Sequence, residues 1–270
     1  MPIERLREKG FQIEFLSHAQ AILEVDFPQV LGELAEALDA LTIPIEEIVG
    51  SGGGETKGTQ RLRRALARAG WNKVVFEIKK MINNVERESQ SHEVDHVRTI
   101  DGRGVVALEI EWNNKDPFFD RDLENFKRLH AEGAISVGII VTRGTSMQDQ
   151  MRALVRRFAD EKGLASVNDL AALNLSPTRR QREDYARRME RPGVLFPEAW
   201  SSSFTQDKYG AATTHWRKLD DRVRRGVGNP CPLLLIGLPA GIVTFGEPAA
   251  VVENLMKEAA EEAATDPPAA

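Results

Sequence analysis

The sequence predicts an α/β fold: a mixed central β-sheet flanked by helices, with an Arg-rich insertion of helices and loops beside it. Three observations carry this. Between Val74 and Trp112 three extended segments follow one another, and Asp101-Gly102 supplies a tight-turn signal between the second and third. From Asp120 to His130 the apolar residues Leu123, Phe126 and Leu129 recur at helical spacing, closed by Gly133. Ala134 to Thr142 (AISVGIIVT) is then a continuous run rich in β-branched residues. That is the pattern of a strand buried on both faces, paired in parallel through the crossover helix before it.

In chain order, apolar residues at helical spacing over 17–41, interrupted at Pro28, predict two helices meeting at a turn. Gly52, Gly53 and Gly54 break the chain, and a helix follows from about Thr59 to Ala69, capped by Thr59 or Thr56 and ended by Gly70. The extended segments cover Val74 to Ile82, His92 to Val97 and Gly104 to Trp112; the last two form an antiparallel hairpin. After the crossover helix and its strand, a helix spans about Met147 to Lys162. Residues 163–228, with scattered Pro, Ser and Gly, are the insertion, and Pro232 to Leu238 (PLLLIGL) is one more buried strand. Residues 248–264 read as an Ala- and Glu-rich helix. A single domain over 1–262 is expected, with its core at about 50–162, additions at about 1–49 and 163–245, and a flexible tail at 263–270.

The 270 residues, 41% of them hydrophobic, are enough to bury one substantial core. No apolar run is long enough to cross a membrane and the first residues lack the apolar stretch of a signal peptide, so a cytoplasmic protein without a membrane partner is expected. Cys231, between Pro230 and Pro232, reads as a small buried apolar residue. The net charge of −5 is unevenly spread. Residues 1–56 carry eleven acids against three Lys or Arg, and 247–270 six against one; Arg143 to Arg191 carries eleven Lys or Arg against seven acids. A basic middle can track a phosphate backbone, the alternative being arginines on solvated helix faces.

The chemistry is concentrated in Gly104 to Asp122 (GVVALEIEWNNKDPFFDRD). Strand side chains alternate faces, so Glu109 and Glu111 lie on one face roughly 6.6 Å apart, while Leu108, Ile110 and Trp112 face the other way. Two carboxylates in an apolar strand need compensation, and a divalent cation with oxygen ligands compensates several at once. Phosphodiester hydrolysis uses such an arrangement, because the cation generates hydroxide and stabilises charge on the attacking and leaving oxygens. A third acid must close the site. Asp95 and Asp101 compete for that place, and Asp95 is preferred, since Asp101 before Gly102 is what a tight turn needs on its own.

SHEVDHVRTIDGRGVVALEIEWNNKDPFFDRDLENFKRLHAEGAISVGIIVTRG resembles the core of the BglII/BamHI-type restriction endonucleases of the PD-(D/E)xK nuclease superfamily. The resemblance extends over roughly residues 10–240. It implies a restriction-endonuclease-like core and a homodimer that cleaves both strands of a short palindromic site in double-stranded DNA with Mg²⁺. By position, Asp95 or Asp101 matches the first acid of the pattern and Glu109 the acid that shares the metal; Asp95, Glu109 and Ile110 make up the metal set. Glu111 stands where most of the superfamily has lysine, as in BamHI-type enzymes, and would orient the attacking water or act as general base. A methylation-dependent or repair endonuclease, or an inactive DNA-binding module, are the other readings.

Glu55, just ahead of the helix before the sheet, is a further candidate acid, the alternative being a charge favoured by the helix dipole. Lys115, Arg121 and Arg143 are candidate phosphate contacts; the alternatives are a solvated turn lysine, an ion pair with neighbouring aspartates and a structural role. Arg179, Arg180, Lys208 and Lys218 are candidates for reading the DNA, against ordinary Arg-rich surface. His92 and His96 lack a zinc pattern, though His96 could hydrogen-bond the carboxylates. The glycine run lacks the Lys-Ser/Thr of a phosphate loop, so no nucleotide cofactor is expected.

Overall fold

A computed structural model describes residues 2–50 and 56–246. Helix α1 (Pro2–Glu8) leads into β1 (Gln12–Leu16), α2 (Ala19–Val25) and α3 (Pro28–Asp39). Pro28 opens α3, where its missing N–H costs nothing, so the break anticipated there is a helix start. After β2 (Ile43–Pro44) and α4 (Ile45–Gly50) comes α5 (Lys57–Arg68), whose N-cap is Thr56: its hydroxyl accepts from the Thr59 amide at 3.3 Å.

The sheet residues follow as β3 (Asn72–Ile82), β4 (Val85–Ile100) and β5 (Gly104–Glu111), then the crossover helix α6 (Phe118–Ala131) and β6 (Val137–Arg143). Helix α7 (Thr145–Glu161) precedes an insertion made of α8 (Val167–Ala172), α9 (Arg179–Met189), α10 (Phe196–Lys208) and α11 (Trp216–Arg224). The chain returns through β7 (Leu233–Leu238), a 3₁₀ turn at Ala240–Ile242 and β8 (Val243–Thr244), which pairs with β2. The helix expected over 248–264 and the tail at 263–270 lie outside the described residues. Among the described residues no helix is long and apolar enough to cross a membrane.

The main sheet has six strands in the order β1-β7-β6-β5-β4-β3. Its centre, β5-β6-β7, is parallel, and its margins are antiparallel. This is the mixed sheet flanked by helices that the pattern predicts, with β5 and β6 joined in parallel across α6. Two strands differ from expectation. β1 is a short edge strand, and β4 begins at Val85, so β3 and β4 form one long hairpin whose turn, Asn83-Asn84, takes positive φ at both residues.

Each face of the sheet carries its own core. Val106 and Leu108 of β5, with Trp112 just beyond it, join Val137, Ile139 and Val141 of β6 and pack with residues of α3, α7 and α10. On the other face Ala107, Ile140 and Leu235 meet Phe119, Leu123, Phe126 and Leu129 of α6. Burial of each such α6 side chain is worth about 1.5–3 kcal/mol, which fixes the helix against the sheet. Gly138 sets the crossing height, because a Cβ there would run into the Phe126 ring. Cys231 is buried and donates to the Pro232 carbonyl; burial pushes its thiol up to about 12, in keeping with an inert core residue.

Candidate active site

Alternation along β5 carries Ala107, Glu109 and Glu111 onto the α6 face, the last two at the end of the strand where the apolar packing stops. Both acids are buried, Glu109 at 4% exposure and Glu111 at 3%. Asp122, in the first turns of α6, is fully buried against them at 0%. Asp122 lies beside Glu111, and, after burial, its charge raises the Glu111 carboxyl. Glu111 also accepts from Asn114 Nδ2 at 2.8 Å, and its backbone oxygen accepts from Thr142 Oγ1 at 2.7 Å, which ties the strand end to β6.

Burial and neighbouring acids dominate the electrostatics. Desolvation first, then the charges of Asp122, Asp95 and Glu111, push Glu109 up to about 9. Burial and Asp122 push Glu111 up to about 8, against the opposing hydrogen bond from Asn114. The opposing cation is Arg121: its Nε donates to Asp122 Oδ1 at 2.8 Å, and its guanidinium lies 3.6 Å from Glu111 Oε1 and 4.4 Å from the centre of the Phe118 ring. Among the described residues no donor reaches the Glu109 carboxyl, and Asp122 Oδ2 is buried without a partner.

The two competing acids part company. The antiparallel register pairs His96 with Leu108, so Asp95 stands one step further, across from Glu109. The β3–β4 register shifts at this level, between Asn72 and Val74, a bulge of the kind that re-aims side chains beside a site. Asp95 is exposed, with Lys73 Nζ 3.3 Å away. Asp101 sits in the hairpin turn at the other end of β5, beyond Gly104, which is itself five residues or roughly 16 Å along the strand from Glu109. Ile110 turns its side chain to the opposite face, leaving its backbone oxygen as its sole ligand atom. Glu55 lies outside the described residues.

The candidate cations also separate. Lys115 is exposed on the loop after β5, which is pinned to 212–214: Thr214 N donates to Asn114 O at 2.8 Å and Asp116 N to Ala212 O at 3.1 Å. The expectation of a phosphate contact at Arg143 is corrected. Arg143 is 0% exposed, and it donates to Trp112 O (2.8 Å), Gln148 Oε1 (2.6 Å), Thr213 Oγ1 (2.6 Å) and Thr214 O (2.7 Å). It staples β5, α7 and the 210–215 segment, and complete burial pulls its guanidinium down to about 10. Lys218 is paired with Asp116 at 3.2 Å, which holds it beside the same loop.

Arg179, Arg180 and Lys208 belong to α9 and α10, which pack over α7 on the opposite side of the sheet from the carboxylates. Arg179 pairs with Glu183 at 2.7 Å, and Arg180 reaches Asp207 at 4.0 Å. Much of the basic middle is occupied in this way, as in Arg156–Asp160, Arg157–Glu161 and Arg224–Asp220. His96 turns from the carboxylates: its Nδ1 pairs with the Leu108 carbonyl at 3.3 Å, and burial holds its pKa below the usual imidazole value.

Asp122 is the member that the sequence reading missed. In DRDLENF it looks like a charge at a solvated helix start; the available signal is its spacing of one and four from Leu123 and Phe126, which places it on the buried side of α6. Asp95, Glu109, Glu111 and Asp122 supply hard oxygen donors, the ligand set of Mg²⁺ or Ca²⁺, and the burial of Glu109 without a counter-charge in contact and of Asp122 Oδ2 without a donor fits such an ion. As placed, no three His, Cys, Asp or Glu groups among the described residues converge closely enough to enclose it.

A mixed sheet with acids at the end of a central strand, covered by a crossover helix, defines a restriction-endonuclease-like nuclease core. A family model for the restriction endonuclease BglII/BglIII matches residues 11–238, so the chain belongs to that family and is a site-specific deoxyribonuclease acting on double-stranded DNA. No curated protein matches it.

Proposed function

We propose that the protein hydrolyses phosphodiester bonds at a short palindromic site in double-stranded DNA, as a homodimer and with Mg²⁺, using Asp95, Glu109 and Glu111. The observation that carries this is the burial of Glu109 and Glu111 side by side at the end of β5 where, among the described residues, a half-exposed arginine is the only cation in ion-pair contact. Carboxylates are not kept in such a place for stability, since the desolvation of each costs several kcal/mol. When bound, a divalent cation supplies an activated water and charge stabilisation at the leaving oxygen.

The residues divide the remaining work. Asp95, Glu109 and the Ile110 carbonyl hold the cation. Glu111 orients the water and accepts its proton, and Asn114 fixes the carboxyl that does so. Lys115 stands on the exposed loop three residues beyond Trp112, where it meets the phosphate backbone. Asp101 serves the turn. Lys218 contributes through Asp116 to the placement of that loop, and Arg179, Arg180 and Lys208 lie too far round the sheet to touch the scissile strand.

The test is incubation of the purified protein with plasmid and phage DNA in Mg²⁺, Ca²⁺ and EDTA. Discrete fragments in Mg²⁺ alone, with paired ends related by a two-fold axis, are the expected result. Nibbling from ends, or retention of a specific site without cleavage in any metal, would contradict it.

A further inference from the structure

Arg121 stands where the site needs positive charge. Among the described residues it is the only cation in ion-pair contact with any of Glu109, Glu111 and Asp122, so one guanidinium faces three carboxyl groups. It satisfies one oxygen of Asp122 and approaches one of Glu111, yet Asp122 Oδ2 stays buried with no donor. The arginine is also the one member of the group that can leave. Its side chain is 50% exposed, it sits in the first turn of α6, and the Phe118 ring gives its guanidinium a resting place at the rim.

We propose that Asp122 is a fourth acid of the cation-binding set, and that Arg121 is the counter-charge these acids carry in the metal-free protein, displaced when a divalent cation binds. This rests on the reading of Glu109 and Glu111 as cation ligands. A planar guanidinium brings one charge and holds its partners at hydrogen-bonding distance, whereas a divalent ion brings two and draws oxygens to within about 2.1–2.5 Å. The carboxyl groups therefore do not converge on an ion until Arg121 moves. Once out, the guanidinium remains over Phe118 at the mouth of the site, facing an incoming phosphate. Arg121 and the cation thus compete in the absence of DNA and cooperate in its presence.

Competition has a readout that needs no cleavage. Thermal melts of the whole protein from 0.1 to 50 mM Ca²⁺ at fixed ionic strength yield an apparent Kd by linkage. Arg121→Gln should melt lower than wild type in EDTA and bind Ca²⁺ about fivefold more tightly, the size of a half-exposed ion pair. Asp122→Asn should bind it at least tenfold more weakly. If Arg121→Gln does not fold in EDTA, recovery on adding Ca²⁺ supports the assignment and failure to recover overturns it. A Kd for Arg121→Gln within twofold of wild type, or weaker, removes the counter-charge role, and an unchanged Kd for Asp122→Asn removes the fourth ligand. Melts of all three proteins that ignore Ca²⁺ would instead overturn the cation site itself.

Discussion

Replacing Glu109 with glutamine should stabilise the metal-free protein, and increasingly so as the pH rises. Glu109 titrates near 9 in the fold, raised by burial and by Asp122, Asp95 and Glu111, and near 4.5 when exposed. The sign follows from proton counts: between those values the folded chain holds a proton that the unfolded chain has released, so stability is complete below about 4.5 and is lost as pH rises towards 9. The slope is about 1.4 kcal/mol per pH unit, so at pH 8 the wild type has lost on the order of 5 kcal/mol through this group. Glutamine mimics the protonated acid and carries no such loss. In EDTA, urea unfolding of Glu109→Gln and wild type should therefore agree near pH 4.5 and diverge by several kcal/mol at pH 8. Added Ca²⁺ should raise the wild type at pH 8 and leave the variant unmoved. A variant that is less stable than wild type at every pH would refute the claim that Glu109 is an unneutralised buried acid.

Arg143→Met removes four hydrogen bonds from a buried staple and strands two backbone carbonyls, so urea unfolding should show a loss of at least about 3 kcal/mol; a phosphate contact would instead leave stability intact and weaken DNA binding. Asp95→Asn should abolish cleavage while Asp101→Asn leaves it within about threefold, read by plasmid digestion; the reverse order would move the third acid to the hairpin turn. The double change Arg179→Ala and Arg180→Ala should leave the Kd for cleaved DNA within about twofold by gel shift, because both arginines lie across the sheet and face acids of α9 and α10.

The centre of the molecule was legible because its signals are local. The run AISVGIIVT has no charged residue and none that is polar between Ser136 and Thr142, and the α6 pattern repeats over three turns, so β6, α6 and their parallel link to β5 follow from periodicity. β1 was not, since QIEFL is five residues long and its partner β7 lies more than two hundred residues away. The outer half of β4 (ERESQSHE) is exposed, so no apolar alternation marks it. The site divides in the same way. Glu109 and Glu111 announce themselves by interrupting an apolar strand, whereas Asp122 and Arg143 look like surface charges in DRD and TRG. Their burial comes from α6 lying on β5 and from the 210–215 segment closing over the strand end, contacts between parts of the chain distant in sequence.

The most direct test pairs cleavage with binding in Glu109→Ala. Purified wild type and variant would be compared on the same DNA, once its cleaved site has been read from fragment ends, by digestion in Mg²⁺ and by gel shift in Ca²⁺. Discrete cleavage by wild type, loss of at least about a thousandfold in the variant and site binding within about tenfold of wild type are the predicted results. Cleavage by Glu109→Ala at a rate near wild type would contradict the assignment of the β5 acids as the catalytic centre.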